Sequence, residues 1–253
     1  IIEHPDVRRM LLDMKAQTEA TRALAYYVAA ELDVAERHAD ADRRTKAQAR
    51  VDLLTPVVKA WGSDTSIDVA STGIQIHGGM GFIEETGAAQ YYRDARITSI
   101  YEGTNGIQAN DLVGRKIGRE NGESIRGLIA DMRADIMSLE TGEDALKHMQ
   151  KRVLGAIDDL ENATDWVVDT WGHAPGSVAA SAVPFLKLLA LTSGGWLMAR
   201  AHGLALRMDD GLFRASKLAT TLFFVDHHVV ETGTLAEIVI AGSPVVQNAV
   251  FHT

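Results

Sequence analysis

The chain has 253 residues, a formal net charge of −9 and no cysteine. Its acidic balance disfavours a nucleic-acid or anionic-membrane surface. Because cysteine is absent, disulfides, cysteine nucleophiles and thiolate metal sites are excluded, and a cytoplasmic location is the default expectation. With 46% hydrophobic and 23% charged residues, the chain is expected to fold into one large or two smaller globular domains.

No segment is predicted to span a membrane. The longest uncharged apolar run lies between Lys187 and Arg200, which is too short for a bilayer and is interrupted by Ser193 and two glycines. The opening residues, from Ile1 to Pro5, include neither an initiator methionine nor a signal-peptide pattern. This opening predicts that the sequence is a fragment of a longer protein.

The first half of the sequence predicts a helical bundle. Apolar residues recur at helical spacing from Pro5 to about Arg37, and again from about Thr45 to Ile76, with a polar turn between them. Two long helices joined by a short turn form an antiparallel hairpin. A short helix near Tyr91 and another after Thr104 would complete a four-helix bundle over residues 1–122.

Residues 123–253 predict a second helical bundle, so the fold class is all-α with a boundary at about residue 122. Apolar stripes end at Gly142 and Gly172 and are followed by a long apolar helix over residues 177–208 and another to about Thr232. Glu237 to Ile240 is the only stretch considered as a strand. We interpret Gly194 and Gly195 as close helix packing, and His227-His228 as chance neighbours on a helix face.

The chemically distinctive stretch runs from Gln75 to Gln108. Three glycines in Gly78-Gly79-Met80-Gly81 are more than one helix end requires, and they favour close approach of a ligand to the backbone. Thr104 is expected to cap a helix that follows it. Glu102 alone has two interpretations, a helix-start carboxylate that interacts with the helix dipole or a catalytic base.

Two motifs in this stretch resemble those of the flavin-dependent acyl-CoA dehydrogenases. The family's C-terminal helical domain carries a Q-x-x-GG-x-G-(F/Y) loop and, one short helix later, a Y-E-G-T-x-x-I-Q motif. The matching residues are Gln75, Gly78, Gly79, Gly81 and Phe82, then Tyr101, Glu102, Gly103, Thr104, Ile107 and Gln108. Asn105-Gly106 and the extra 131 residues resemble a longer branch of the family that has an additional C-terminal helical domain.

The resemblance implies a role for each matched position. The matching glutamate, Glu102, removes the α-proton of an acyl-CoA thioester while the β-hydrogen leaves as hydride to FAD, and its N–H helps to bind the thioester carbonyl. Substrate contacts are expected from Tyr101, Glu102 and Gly103. FAD contacts are expected from Gln75, Gly78, Gly79, Thr104, Asn105 and Gly106. Gly106 departs from the longer polar side chain usual there, so its contact is made by backbone or is lost.

The resemblance also implies partners. These are an acyl-CoA substrate, electron-transfer flavoprotein as electron acceptor, and further copies of the chain in a dimer or tetramer, in which the glycine loop reaches FAD held by a neighbouring subunit. Most of the flavin site would lie in preceding domains, so this fragment alone is expected to be inactive. The alternative is a non-catalytic helical oligomerisation or interaction module of a degenerate relative.

Two further patterns are interpreted as carrying no chemistry. None of the nine histidines has a glutamate three residues before it, so the Glu-x-x-His signature of di-iron bundles is absent and no metal site is predicted. Arg93-Asp94 lies between the two motifs. It is interpreted as a structural ion pair and not as a substrate ligand.

Overall fold

A computed structural model describes residues 1–140, 142–242 and 244–251, and these residues form helices and connecting turns without a strand. The all-α prediction is therefore confirmed. The helices are α1 (Pro5–Arg37), α2 (Ala41–His77), α3 (Gly79–Phe82), α4 (Ala88–Thr98), α5 (Asn105–Asp111), α6 (Glu123–Met137), α7 (Asp144–Trp171), α8 (Pro175–Ala180), α9 (Ala182–Leu206), α10 (Leu212–His227), α11 (Thr232–Ile240) and α12 (Pro244–Asn248). Short 3₁₀ turns cover Glu84–Thr86 and Val229–Glu231, and a π-helical segment covers Leu112–Gly118.

Helices α1 and α2 form the predicted long hairpin. Pro5 opens α1, where its missing N–H costs nothing, and the Asp40 side chain caps α2 by accepting a 2.9 Å hydrogen bond from the Asp42 N–H. A stripe of residues spaced four apart, Ala16, Ala20, Leu24 and Val28, is buried on α1. Small side chains on this stripe let the neighbouring helices approach closely.

Helix α9 is the core helix of the second half. It is long and apolar enough to cross a membrane by length and composition, but 78% of its most apolar window is buried inside the molecule. A Cβ atom on Gly194 would lie 2.8 Å from ring atoms of both Trp61 on α2 and Phe224 on α10. The glycine pair therefore serves close helix packing, as the sequence predicts, and α9 is a packed core element.

The two halves of the chain share one hydrophobic core, which extends from α1 and α2 through α9 to α11. Tyr27 of α1 meets Trp196 of α9 edge-to-face with ring centroids 5.0 Å apart. The buried Arg50 of α2 donates a 2.7 Å hydrogen bond to Asp131 of α6. The second half consequently packs directly on the α1–α2 hairpin.

Three predictions for the second half are wrong in detail. Glu237 to Ile240 is the end of α11 and not a strand, because Ala236 and Val239 are buried at helical spacing. The helix predicted over residues 177–208 is interrupted at Ser181, whose buried hydroxyl donates to the Val239 carbonyl at 3.2 Å. The helix predicted to end near Thr232 ends at His227.

His228 is also misinterpreted from sequence, because it is more than a chance neighbour of His227. Its Nε2 atom lies 2.7 Å from the Asp13 carboxylate on α1, and its Nδ1 atom lies 3.8 Å from Glu231. His228 therefore ties the end of α10 to the first helix of the hairpin. His227 instead stacks on Phe223, with ring centroids 3.9 Å apart.

Candidate functional site

The glycine loop follows α2, which ends at His77. Gly78 has a φ of 63°, a conformation that glycine adopts without strain. A Cβ on Gly81 would lie 2.3 Å from the Ile74 carbonyl oxygen, so this glycine is required for α3 to pack on α2. Gly79 is exposed and has no atom within 4 Å of its Cβ position. Backbone conformation thus explains Gly78 and packing explains Gly81, whereas the Gly79 backbone is accessible to another molecule.

Helix α4 carries the aromatic and charged cluster predicted between the two motifs. Tyr91 and Tyr92 are exposed on it. Arg93 forms its salt bridge with Glu84 at 2.5 Å, where the sequence had suggested Asp94 as its partner. Arg93 and Glu84 are nine residues apart in the sequence, and they meet because the 3₁₀ turn that contains Glu84 folds back beside α4. The Arg93–Glu84 pair therefore ties the 3₁₀ turn that follows the glycine loop to α4.

The glutamate motif forms a loop between α4 and α5 with an unusual backbone. Glu102 has a φ of 57° and Gly103 a φ of 79°. The positive φ of a non-glycine residue costs about 1–3 kcal/mol and is found where surrounding contacts enforce it. The Glu102 side chain is exposed. As predicted, Thr104 is the N-cap of α5, accepting a 3.3 Å hydrogen bond from the Ile107 N–H.

A polar cluster on α2 holds this loop. Lys59 Nζ donates to the Gly103 carbonyl at 2.7 Å and to Asn105 Oδ1 at 2.9 Å. The Asn105 amide group donates to Ser63 Oγ at 2.9 Å and to Asp64 Oδ1 at 2.7 Å. Gln108 adds a 3.3 Å hydrogen bond to the Glu102 carbonyl.

These anchoring residues were missed by sequence reasoning, which considered α2 for its apolar residues. The available signal was the spacing of Lys59 and Ser63, which are four apart and therefore share one helix face. Burial raises the pKa of the Asp64 carboxyl, and its hydrogen bond from Asn105 opposes that rise.

Glu102 lies at the edge of a cavity of about 410 Å³. The residues that line this cavity are Val58, Lys59, Gly62, Ser63, Ser66, Thr98, Tyr101 and Glu102. An adjoining groove of about 710 Å³ between α1, α2 and α4 shares Val58, Gly62 and Ser66 with this cavity. The groove is lined mostly by small and apolar side chains, with Arg22 and His77 as its basic residues.

The predicted site residues fall into two groups that the fold keeps apart. Residues 101–106 lie beside Lys59, near the middle of α2, while Gln75, Gly78 and Gly79 lie at its end. At about 1.5 Å per residue, the span from Lys59 to Gly78 is roughly 28 Å along the helix. The two motifs of one chain therefore do not converge on a single point.

Two family models match the chain. Residues 1–117 match the acyl-CoA dehydrogenase C-terminal domain, and residues 127–248 match a domain described as acetyl-CoA dehydrogenase C-terminal like. This helical architecture with its glutamate loop belongs to a class of flavin-linked oxidoreductases. The chain belongs to the acyl-CoA dehydrogenase family and corresponds to the C-terminal helical region of that family's members.

Among curated proteins, the chain is similar to a 3-methylmercaptopropionyl-CoA dehydrogenase of Ruegeria pomeroyi. The two are 43% identical over 235 residues, which cover 91% of this chain and 40% of the relative. It is also 31% identical to a broad-specificity linear acyl-CoA dehydrogenase of Mycobacterium tuberculosis over 238 residues, 88% of this chain and 39% of that protein. The chain thus spans about 40% of the length of these relatives.

Among solved structures, the chain resembles an acyl-CoA dehydrogenase from Bacillus anthracis complexed with FAD. The TM-score is 0.74 with 21% identity, covering 96% of this chain and 44% of the other. A Caenorhabditis elegans ACDH-11 structure in complex with C11-CoA also gives a TM-score of 0.74, with 20% identity, covering 90% of this chain and 37% of that one. At these identities the likeness concerns the fold.

Proposed function

We propose that the chain is the C-terminal part of an FAD-dependent acyl-CoA dehydrogenase in which Glu102 is the base. The observation that supports this most is the exposed Glu102 carboxylate on a strained loop that Lys59 and Asn105 tie to α2. Backbone strain in a loop held by several specific hydrogen bonds is typical of functional sites. An ordinary helix-start carboxylate would need neither the positive φ nor the anchors.

In this reaction the Glu102 carboxylate takes the α-proton of the thioester, and a double bond forms between Cα and Cβ as hydride leaves Cβ. Bound FAD supplies the hydride acceptor. The Glu102 N–H is proposed to donate to the thioester carbonyl, which stabilises the negative charge that develops there as the α-proton is removed. Tyr101 and Gly103 flank the base and are proposed to contact the substrate beside it.

The chain's own residues suit two separate edges of a flavin site. Gly79, whose backbone is open, would contact FAD together with Gln75 and Gly78 at the end of α2. Because this group lies roughly 28 Å along α2 from Lys59, we propose that it serves the FAD of a neighbouring subunit. Near Glu102, contacts are proposed from Thr104, Asn105 and Gly106.

The structure restricts how Asn105 can contribute to cofactor binding. Its side-chain amide is engaged by Lys59, Ser63 and Asp64, all within 2.9 Å. We therefore expect Asn105 and Gly106 to contact FAD through backbone atoms only.

The substrate class is proposed to be an acyl-CoA thioester, with electron-transfer flavoprotein as the electron acceptor. The name of the Ruegeria pomeroyi relative points to a sulfur-bearing acyl group and that of the Mycobacterium tuberculosis relative to linear acyl groups. A flavin-reduction screen of the full-length protein against acyl-CoAs of both kinds would decide between them.

The assignment of the base is tested with Glu102→Gln in the full-length enzyme. Glutamine keeps the size of the side chain but cannot accept the α-proton, so flavin reduction should fall by about 10²–10⁴-fold or more. FAD content should change little, because Thr104 and the glycine loop are untouched. A rate above about a tenth of wild type, well short of the loss expected for a general base, would place the base elsewhere. The non-catalytic alternative instead predicts no flavin reduction by any acyl-CoA, in the wild type as in Glu102→Gln.

A further inference from the structure

The backbone conformation at Glu102 and Gly103 requires an external restraint. Two consecutive positive φ angles, 57° and 79°, occur in a loop whose side chains are largely exposed. A non-glycine residue in this region is disfavoured relative to the right-handed region. The loop would therefore sample other conformations unless contacts from the rest of the molecule favoured this one.

Lys59 supplies two of those contacts. Its ammonium group donates to the Gly103 carbonyl at 2.7 Å, directly after the strained peptide, and to Asn105 Oδ1 at 2.9 Å. A lysine ammonium has three donors and no acceptor, so both bonds have an unambiguous direction. Hydrogen bonds with a charged donor are stronger than neutral ones.

The Asn105 amide has only one orientation compatible with its neighbours. Its oxygen faces the donor-only Lys59, and its nitrogen lies 2.7 Å from the acceptor-only carboxylate of Asp64. Reversing the amide would place donor against donor and acceptor against acceptor. Lys59, Asn105 and Asp64 thus form one ordered network between α2 and the start of α5.

The geometry points to Lys59 as a positioning residue, which holds the 101–105 loop in its positive-φ conformation and so aims the Glu102 carboxylate into the cavity that both residues line. This inference rests on the proposed role of Glu102. A base displaced by about 1 Å can lose about 100-fold in rate, so the restraint affects the proton-transfer step directly.

The first test measures the loop without any turnover. In the full-length enzyme, Lys59→Met keeps the length of the side chain and removes the donors, so amide exchange across residues 99–108 should accelerate. Lys59→Arg retains charged donors and should restore part of the protection. The control is Lys151→Met, which makes the same change at an exposed position on α7 and should leave the loop unaffected. Unchanged exchange in Lys59→Met would overturn the inference.

The second test is a double-mutant cycle on the rate of flavin reduction. Lys59→Met should slow the reduction of bound FAD, measured per flavin, by about 10–100-fold with a wild-type melting temperature. In the Glu102→Gln background, the same change should have a clearly smaller effect, because the carboxylate that Lys59 positions is absent and only the positioning of the Glu102 N–H remains. A full additional loss in that background would overturn the inference, as would a wild-type rate in the single variant. If Glu102→Gln alone keeps its rate, the proposed function fails, whereas loop exchange still reports separately on Lys59.

Discussion

Gly103 is the position in the glutamate loop where a side chain should do most harm. Its φ of 79° disfavours alanine, and a Cβ there would lie 3.2 Å from Gln108 Nε2, the group that donates to the Glu102 carbonyl. We expect Gly103→Ala in the full-length enzyme to slow flavin reduction by about tenfold, because misplacing a reacting group by a fraction of an ångström is costly.

The melting temperature should change little in Gly103→Ala, since the loop is exposed and contributes little to the core. The matched control is Gly127→Ala on α6, where a Cβ meets no atom within 4 Å and reduction should keep its wild-type rate. Wild-type reduction by Gly103→Ala would show that the positive φ is not needed.

At the site, the motif residues could be predicted from the sequence, and their supports could not. Glu102 and Thr104 belong to a recognisable sequence motif, and capping by Thr104 follows from the preference for threonine at helix N-caps. Lys59 acts from 44 residues away, and its spacing from Ser63 indicates only that the two share a helix face, without indicating which loop that face meets. Only the tertiary fold reveals which face of α2 meets the loop.

Helix α9 depends on its glycines for its packing against α2 and α10. Alanine at Gly194 would press against Trp61 and Phe224, both 2.8 Å from the new Cβ, and overpacking of this kind typically costs about 1–3 kcal/mol. We expect urea unfolding to show a loss of that size for Gly194→Ala. Gly155→Ala on α7, where no atom lies within 4 Å, should instead stabilise by up to about 1 kcal/mol. Equal effects at both positions would contradict the packing argument.

The ion pair between α10 and α1 should make stability depend on pH. Burial alone would lower the pKa of His228, but its contacts with Asp13 and Glu231 outweigh this effect and raise it to about 9. Contacts with His228 and Lys187 lower the pKa of Glu231 to about 2. The folded state thus binds the histidine proton more tightly than the unfolded chain, whose ordinary histidine pKa is 6.5.

The stabilisation from His228 is therefore complete below about pH 6.5 and is lost as the pH rises through 9. The contribution of Glu231 is present above its ordinary pKa of 4.5 and is lost as the pH falls through 2. The rise of the His228 pKa from 6.5 to about 9 corresponds to at most about 3 kcal/mol of folding stability.

Unfolding free energies measured from pH 5 to 10 should decline above pH 6.5, and His228→Gln should flatten that decline. Identical curves for His228→Gln and wild type would contradict this, and His173→Gln at an exposed position is the control.

The long helices could be predicted from apolar periodicity, and the irregular ones could not. Helix α1 occupies the predicted residues because its periodicity, its first-turn proline and the polar turn after it agree. The π-helical segment 112–118 has no such signal. It lies where the ring of Trp171 packs against Gly114 and Gly118, within 3.0 Å of the position of a Cβ on either glycine. That ring comes from α7, more than fifty residues later in the chain.

At the scale of the whole molecule, the residues proposed to contact FAD form two separate groups. The chain spans about 40% of the curated relatives it matches, and the two groups lie roughly 28 Å apart along α2. We expect the purified 253-residue chain to be colourless and to retain no FAD. Absorbance at the flavin band measures this directly, and a yellow preparation with stoichiometric flavin would contradict it. Free FAD added in excess and then removed by gel filtration is the control for weak binding.

The surface around the glycine loop predicts self-association. Large apolar side chains of the glycine loop and α4 are exposed, namely Met80, Phe82, Tyr91 and Ile97, and Phe82 retains 80% of its accessible surface. Exposed apolar patches mark contact sites, and most soluble oligomers are symmetric assemblies of one chain. Light scattering should therefore show dimers or tetramers, and Phe82→Glu should shift them towards monomers. Leu212→Glu places the same charge on an equally exposed apolar residue of α10 and should leave the assembly intact. A monomer at high concentration, or dissociation by Leu212→Glu alone, would show that these side chains do not form the interface.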